Sequence, residues 1–327
     1  MNTMGWLVKR EYWEHRGGFL WAPVWVSVVM LALTLVGIIS AEVVGSRVEV
    51  SGGVPWDRIA ERLNAGDIAH AGAGLDGAFV ALAAILCIPL FFVLFFYLLG
   101  SLYDDRRDRS VLFWKSLPVT DTATVLSKVI AAVLLAPIIA FVVAIAAYVV
   151  LLLIVCGWAA LHGINPLPAI ASSHPLGLLW RLALTIPVDA LWALPTVGWL
   201  MFWSAFARSK PFLWAVLVPI FVVIANSWLG MLGAPSLSRS FLVNDVVFRL
   251  LFGIVPGAWL QGTGLDLGDR IRGVNSDGEV STVLAIFDPS VVYALLGTPK
   301  LWIGVVVGAA LIAASVWLRR TRIETST

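Results

Sequence analysis

Charged residues are scarce in this sequence, making up 13% of its 327 residues. A soluble domain ordinarily carries about 25% charged residues. Hydrophobic residues account for 60% of the chain, and the mean hydropathy is +0.93. This composition excludes an ordinary soluble enzyme and predicts an integral membrane protein, with no nucleic acid expected as a partner. The net charge of +2 says little about partners, because the distribution of charge matters more than its sum in a membrane protein.

Residues that carry catalysis or bind metals are also few. The two cysteines, Cys87 and Cys156, lie inside apolar runs, and we expect free thiols rather than a disulfide or a metal site. The four histidines show no metal-ligand spacing, and none of the five lysines follows a glycine as a phosphate-binding loop requires. We therefore expect no metal, no catalytic residue and no ATP-binding loop in this chain.

Six long apolar runs divide the sequence, each roughly long enough for the ~20 residues that cross a bilayer. They are residues 19–40, 77–103, 129–161, 182–207, 211–233 and 301–318. The first run exceeds the roughly 7–15 apolar residues of a signal-peptide core, so we expect it to remain as a span. These runs predict an all-α membrane protein with six transmembrane helices, forming one transmembrane domain over residues 1–327.

Basic residues alternate between the connecting segments. Lysine and arginine are dense before the first span, in 104–128, in 208–210 and in the tail, whereas the outer segments 41–76 and 234–300 are acidic or mixed. The positive-inside rule then places both termini in the cytoplasm. We expect a multi-pass protein of the inner (plasma) membrane.

The N-terminal stretch mixes aromatic and charged residues in a way typical of a short amphipathic helix on the inner membrane surface. Its candidate interfacial residues are Lys9, Arg10, Glu11, Trp13 and Glu14. Gly17–Gly18 is expected to turn the chain into the first span.

The run 241–260 in the last outer segment is too apolar for an ordinary loop. Three of its residues make it a poor span: Asp245, Arg249 and Pro256. Irregular backbone at membrane depth is tolerated only where protein or a water-filled cavity covers it. We therefore predict a pair of re-entrant or interfacial helices that breaks near Gly253–Gly257. The alternative, two extra spans, would place the acidic residues 266–279 inside, against the charge rule.

Polar residues within the predicted spans are candidates for a pathway or an interface. Asp189 either lines a pathway or subunit interface, or lies near the membrane surface, hydrated or paired with an outer-loop arginine. Asn226 has similar alternatives, of which an interhelical hydrogen bond is the simpler. Trp192, Trp199 and Trp203 share one helix face, which either packs on a neighbour or lines a hydrophobic pathway.

The stretch YDDRRDRSVLFWKSLPVTDTATVLSK, residues 103–128, concentrates charge between two spans. Asp105 and Arg109 stand at i, i+4 with the acid first, the favourable order on a helix. Phe113–Trp114 then offer an apolar knob, and Pro118 ends the helix. The arginines alone would serve as a positive-inside anchor, but they do not explain the aromatic knob and the turn.

Thr120 or Asp121 can cap a second helix after that turn. A simple solvated link needs far fewer residues, as RSK at 208–210 shows. We therefore expect the segment 103–128 to be ordered and to dock a partner.

Two motifs and the six-span pattern make the sequence resemble a type 2 ABC exporter permease, the membrane subunit of an ATP-binding-cassette transporter. VKREYWEHRGGFLWAP at 8–23 is similar to the family's basic N-terminal helix leading into span one. The family's charged cluster is matched by Asp104–Arg109, its SLPVS-like turn by Ser116–Thr120, and the lysine that opens span three by Lys128. Ser110–Val111 depart from the Gly-Thr that the family often has, which leaves the register of the cytoplasmic helix open.

The resemblance implies that two separate ATPase subunits, which bind ATP and Mg, dock beneath two permease copies or beneath one copy and a related permease. The helix around 104–118 would be a coupling helix in the ATPase cleft, and 241–260 would resemble outer re-entrant helices. The candidate coupling residues are Asp104, Asp105, Arg106, Arg107, Asp108, Arg109, Phe113, Trp114, Lys115, Leu117 and Pro118. The apolar interior favours a hydrophobic or amphipathic cargo such as a peptide, lipid or drug, with membrane lipid around the protein.

Two other classes of function stay open at this point. An intramembrane enzyme acting on lipid or peptide needs a polar cluster at membrane depth, for which Asp189 and Asn226 are the available residues. A non-transporting membrane scaffold or sensor would require no ATPase.

Overall fold

The computed structural model describes residues 3–50, 65–108, 119–263 and 287–321. These residues are mostly helical and contain no β-strand. Six of the helices in the described ranges are long and apolar enough to cross a membrane, which confirms the predicted all-α class and number of candidate spans. A helical chain satisfies its backbone hydrogen bonds internally, as the hydrocarbon core requires.

Several of the helices are joined by short π-helical or 3-10 segments. The α-helices are α1 (Thr3–Arg16), α2 (Ala22–Val50), α3 (Ala65–Ser101), α4 (Tyr103–Arg107), α5 (Asp121–Ile130), α6 (Ala136–Leu161), α7 (Leu167–Ser172), α8 (Pro175–Phe206), α9 (Pro211–Met231), α10 (Arg249–Phe252), α11 (Pro289–Ala294) and α12 (Pro299–Thr321). The π-helical segments are Gly17–Trp21, Ala131–Leu135 and Phe241–Phe248, and the 3-10 segments are Ala258–Thr263 and Leu295–Gly297.

Helix α8 starts earlier than the predicted fourth span, 182–207. Pro175 stands in its first turn, where the missing N–H of proline costs no hydrogen bond. Asp76 of α3 accepts a hydrogen bond from the backbone N–H of His174 at 3.0 Å, which satisfies a donor at the start of α8. This earlier start places Asp189 well inside a long helix rather than near its outer end.

The junction of α1 with the first span is a kink and not the glycine turn that was predicted. His15 has non-helical backbone angles, and Gly17–Trp21 continues as a π-helix. At Gly18 a side chain would meet Val93 of α3 at 2.8 Å. Gly18 therefore permits close packing of this junction against α3.

Helices α8 and α12 pack with their backbones in close approach. Gly304 and Gly308 form a GxxxG pattern on α12, a spacing that lets helices approach closely in membranes. A Cβ on Gly308 would lie 2.5 Å from the backbone carbon of Leu194, and one on Gly198 would lie 2.6 Å from the Gly308 oxygen. The sequence interpretation missed this pattern, which fixes the last span against α8.

Gly308→Ala is expected to lower the free energy of unfolding by about 1–3 kcal/mol, because the added methyl group meets backbone that cannot move aside. Gly37→Ala is the matched control, since nothing lies within 4 Å of the position its methyl group would occupy. Thermal unfolding in detergent, followed by tryptophan fluorescence, measures both. Equal unfolding temperatures for the two variants would contradict the close approach of α8 and α12.

Candidate functional site

Charged side chains from four helices meet at the end of the bundle where α1 lies and α12 ends. We call this set the end-face charge network; its members are Glu11, Tyr97, Asp105, Asp121, Lys128 and Arg319. The charged members come from α1, α4, α5 and α12, and Tyr97 of α3 is the uncharged member. The network therefore joins the ends of most of the membrane helices around one set of contacts.

The first half of the network is a buried ion pair between α1 and α5. Lys128 Nζ lies 3.3 Å from Glu11 Oε1, and the two side chains are only 3% and 1% exposed. The Tyr97 hydroxyl donates a hydrogen bond to the other Glu11 oxygen at 2.8 Å. Glu11, predicted to be a surface charge of an interfacial helix, is instead one of the most buried polar residues described.

The second half of the network is built around Arg319 near the end of α12. Its Nη1 donates to Asp105 Oδ2 at 2.9 Å and its Nε donates to Asp121 Oδ1 at 3.0 Å. Lys128 Nζ also lies 3.9 Å from Asp105 Oδ2, which links the two halves. Asp121 is thus an ion-pair partner, while Thr120 is the helix cap, its hydroxyl accepting from the Ala123 N–H at 3.2 Å.

Arg106 connects the same segment to α8. Its Nη2 donates to the backbone oxygens of Ser204 at 2.6 Å and Ala207 at 3.0 Å, which lack helical partners at the end of α8. The Ser204 hydroxyl accepts from the N–H groups of Leu102 and Tyr103 at 3.0 Å each. The short helix α4 is therefore held on α8 by both backbone and side-chain contacts.

The predicted coupling residues divide into two groups. Asp105 and Arg106 face the bundle, whereas Asp104, Arg107 and Asp108 are exposed. The remaining candidates lie outside the described residues: Arg109, Phe113, Trp114, Lys115, Leu117 and Pro118. The predicted Asp105–Arg109 pair falls in part on those residues, and Asp105 pairs with Arg319 and Lys128.

Most of the predicted interfacial residues of α1 point away from the bundle. Trp13 is 56% exposed, Lys9 and Glu14 are exposed, and Arg10 pairs with Glu14 at 2.7 Å. A cleft of about 650 Å³ lies between the end of this helix and α3 and α4, with Glu14, Asp104 and Asp108 among its lining residues. The structure thus brings the N-terminal helix and the start of the predicted coupling segment together.

Glu11, Glu14 and His15 form a group whose possible ligand atoms lie within 4.8 Å of one another. Both carboxylates are already paired, Glu11 with Lys128 and Glu14 with Arg10. A metal ion would have to displace these cations, so the ion pairs account for the group.

A cavity of about 290 Å³ lies between α3, the start of the third span, α8 and the outer segment. Its walls are apolar except for a few groups, among them Thr185, Cys87 and Asp189. Cys87 and Cys156 are both free thiols, as predicted. The cavity is therefore a place in the membrane region where one carboxylate faces apolar side chains.

Asp189 accepts a hydrogen bond from the Gly257 N–H at 2.8 Å. Gly257 has a φ of 82°, a conformation that favours glycine, and it sits where the outer segment crosses the cavity. Among the described residues no basic side chain forms an ion pair with Asp189, and Arg181 lies 3.5 Å from Asp288 instead. Among the described residues Asp189 is therefore not paired with an outer-loop arginine, a contact that was part of the second alternative predicted for it.

The outer segment 241–260 has the predicted break but not a matched pair of helices. A π-helix and α10 run from Phe241 to Phe252, and after the turn at Gly253–Gly257 only a 3-10 segment follows. Asp245 pairs with Lys300 at 3.0 Å. Pro256 lines the cavity.

Arg249 of this segment anchors it to α8 and α12. Its Nη2 donates to the Leu301 oxygen at 3.3 Å, and its guanidinium carbon lies 4.0 Å from the ring centre of Trp192. Gly304 leaves the room that the guanidinium occupies.

At the start of α11, hydrogen bonds from Ser290 hold the pKa of Asp288 below its ordinary value.

The other polar and aromatic candidates have structural contacts. Trp199 Nε1 donates to the Ala215 oxygen of α9 at 3.0 Å, and neither Trp199 nor Trp192 lines the cavity. These contacts favour the packing interpretation of the tryptophans over a pathway. The Asn226 amide exchanges two hydrogen bonds of 2.9 Å with the backbone of Leu237, so its bonds reach the following loop and not another span.

Sequence reasoning missed three members of the end-face charge network in their present roles. Tyr97 was counted only as part of a span, Arg319 only as part of a basic tail, and Asp121 only as a possible cap. A tyrosine and an arginine within a turn or two of span ends are compatible with simple interfacial anchoring, so no local signal separated these residues from anchors.

Comparison of the chain with protein-family models, curated proteins and solved structures finds no match.

Proposed function

We propose that the chain is the permease subunit of an ABC exporter, coupling ATP hydrolysis by separate ATPase subunits to outward transport of a hydrophobic or amphipathic substrate. The observation that supports this most is the end-face charge network. It ties the start of the predicted coupling segment to several membrane helices. A partner that moved this segment would therefore move those helices as well.

Each contact of the segment gives a route for such movement. Asp105 reaches α12 through Arg319, and it reaches α5 and then α1 through Lys128. Arg106 reaches the end of α8. Ion pairs and hydrogen bonds that are shielded from water are stronger than the same contacts at an exposed surface, so displacement of α4 is expected to strain all of them together.

The proposed orientation places this end of the bundle in the cytoplasm, with the protein in the inner (plasma) membrane. The positive-inside rule supports it, because the arginines of α4, of 208–210 and of the end of α12 belong to this end. ATP and Mg would bind to two partner ATPase subunits, and a second permease copy or a related chain would complete the transporter.

The intramembrane-enzyme alternative gains no support from the described residues. Asp189 contacts Gly257, whereas Asn226 contacts Leu237, so the two polar groups that it needs are not brought together. No observation favours a scaffold or sensor over a transporter.

The test is purification of the full, tagged chain from its native membranes in mild detergent. We expect an ATPase subunit without membrane spans to copurify in equal stoichiometry and the complex to hydrolyse ATP. A tagged, unrelated six-span protein from the same membranes is the control. A chain that purifies without any ATP-hydrolysing subunit under several detergents would contradict the proposal.

A further inference from the structure

The cavity between α3, α8 and the outer segment combines an apolar wall with one carboxylate. Its volume of about 290 Å³ is close to the lower end of the roughly 300–1,000 Å³ that small-molecule sites occupy. We propose that it binds a lipophilic cation whose positive group lies against Asp189. If the chain is the proposed exporter subunit, this ligand is its class of cargo, and that identification rests on the proposed function.

The charge balance of the cavity selects a cation. Asp189 has no ion pair among the described residues, while the two arginines of neighbouring segments are engaged elsewhere, Arg181 with Asp288 and Arg249 with the start of α12. An ionised carboxylate among apolar side chains is costly without a positive partner. A ligand that supplies the positive charge is therefore favoured over a neutral or anionic ligand of the same shape.

The remaining wall suits the apolar part of such a ligand. The cavity is open partly because small alanine side chains line it. These alanines come from several different elements: Ala83, Ala132, Ala140, Ala144 and Ala193. Phe141 and Phe287 also line it, and aromatic faces attract cations as well as apolar groups. Charge and apolar surface therefore lie within one small cavity.

The hydrogen bond from Gly257 leaves room for this ligand on the carboxylate. A carboxylate offers about four lone-pair sites, and the Gly257 N–H occupies one of them. Asp189→Asn keeps an oxygen that accepts from Gly257 and removes the charge, which makes it a selective test.

The experiment measures binding of benzyltrimethylammonium to the purified full chain in lipid nanodiscs by equilibrium dialysis, with empty nanodiscs subtracted. Neopentylbenzene, its neutral carbon isostere, is the matched ligand. We expect the cation to bind wild type at least about tenfold more tightly than Asp189→Asn, because the charge pair lies in a low-dielectric site. Asp67→Asn is the matched control, an exposed acid at the start of α3 that should leave binding unchanged.

Ala83→Leu extends a side chain into the cavity and should weaken binding of both the cation and its isostere. Equal cation binding by wild type and Asp189→Asn would overturn the inference, as would wild type binding the isostere as tightly as the cation. Size-exclusion profiles identify any variant that fails to fold. If Asp189→Asn fails, the test is Asp189→Glu, which keeps the charge and must still bind the cation.

This assay needs no ATPase, so its result is separate from that of the proposed function. Cation binding by a chain that purifies without an ATPase would retain the site and reject the exporter. An ATPase complex whose permease shows no Asp189-dependent binding would retain the exporter and reject the site.

Discussion

Lys128→Met is expected to lower the free energy of unfolding by about 3–5 kcal/mol, the cost of breaking a buried ion pair by removing one partner. Methionine has nearly the length of lysine, so the change removes charge without leaving a large cavity. Glu11 would remain 1% exposed with its negative charge, and the Tyr97 hydroxyl would be its nearest remaining donor at 2.8 Å. An uncompensated charge in that position opposes folding.

Chemical unfolding in detergent, followed by tryptophan fluorescence, measures this change. Lys9→Met is the matched control, because Lys9 is an exposed lysine on α1. The double variant Glu11→Gln, Lys128→Met should recover most of the loss, since the introduced amide is neutral and its oxygen could still accept from the Tyr97 hydroxyl. If Lys128→Met unfolds like Lys9→Met, the buried pair does not exist as described.

The parts of the fold that the sequence predicted are those that depend on neighbouring residues. The six candidate spans follow from apolar runs, and the break at Gly253–Gly257 follows from glycine and proline. The cap follows from its place before a helix, where the sequence offered Thr120 or Asp121 and the structure has Thr120. Each of these features is decided within a short stretch of consecutive residues. A single sequence contains that information.

The candidate site depends instead on residues far apart in the chain. Lys128 and Glu11 are 117 positions apart, and Arg319 and Asp105 are 214 apart. Nothing in either local pattern selects one distant partner, so Glu11 was interpreted as an exposed interfacial charge. The same reason explains why the Gly257 contact of Asp189 was not predicted.

Arg107→Glu reverses the charge of the exposed arginine of α4. It is expected to reduce substrate-stimulated ATP hydrolysis by the assembled transporter roughly tenfold or more, a factor within the usual range for coupling between two sites. The proposed ATPase contact would then meet a negative charge in place of a positive one. Arg107 is exposed, so its reversal should leave the bundle intact. Trp114→Ala and Arg109→Glu, beyond the described residues, are expected to act in the same direction.

Arg106→Glu separates docking from transmission. It removes the hydrogen bonds from Arg106 to the end of α8, so it should lower both coupling and the unfolding temperature, whereas Arg107→Glu should lower coupling alone. Arg208→Glu is the matched control, an exposed arginine just after α8 with the same change of charge.

The measurement compares ATP hydrolysis and cargo transport in proteoliposomes, together with the amount of assembled complex that each variant forms. Loss of transport with retained basal hydrolysis identifies uncoupling, whereas loss of both with less complex identifies failed docking. Either result supports contact of the segment 104–118 with the ATPase. Normal coupled activity in both Arg107→Glu and Trp114→Ala would contradict the proposed contact, because that contact requires these side chains for coupling.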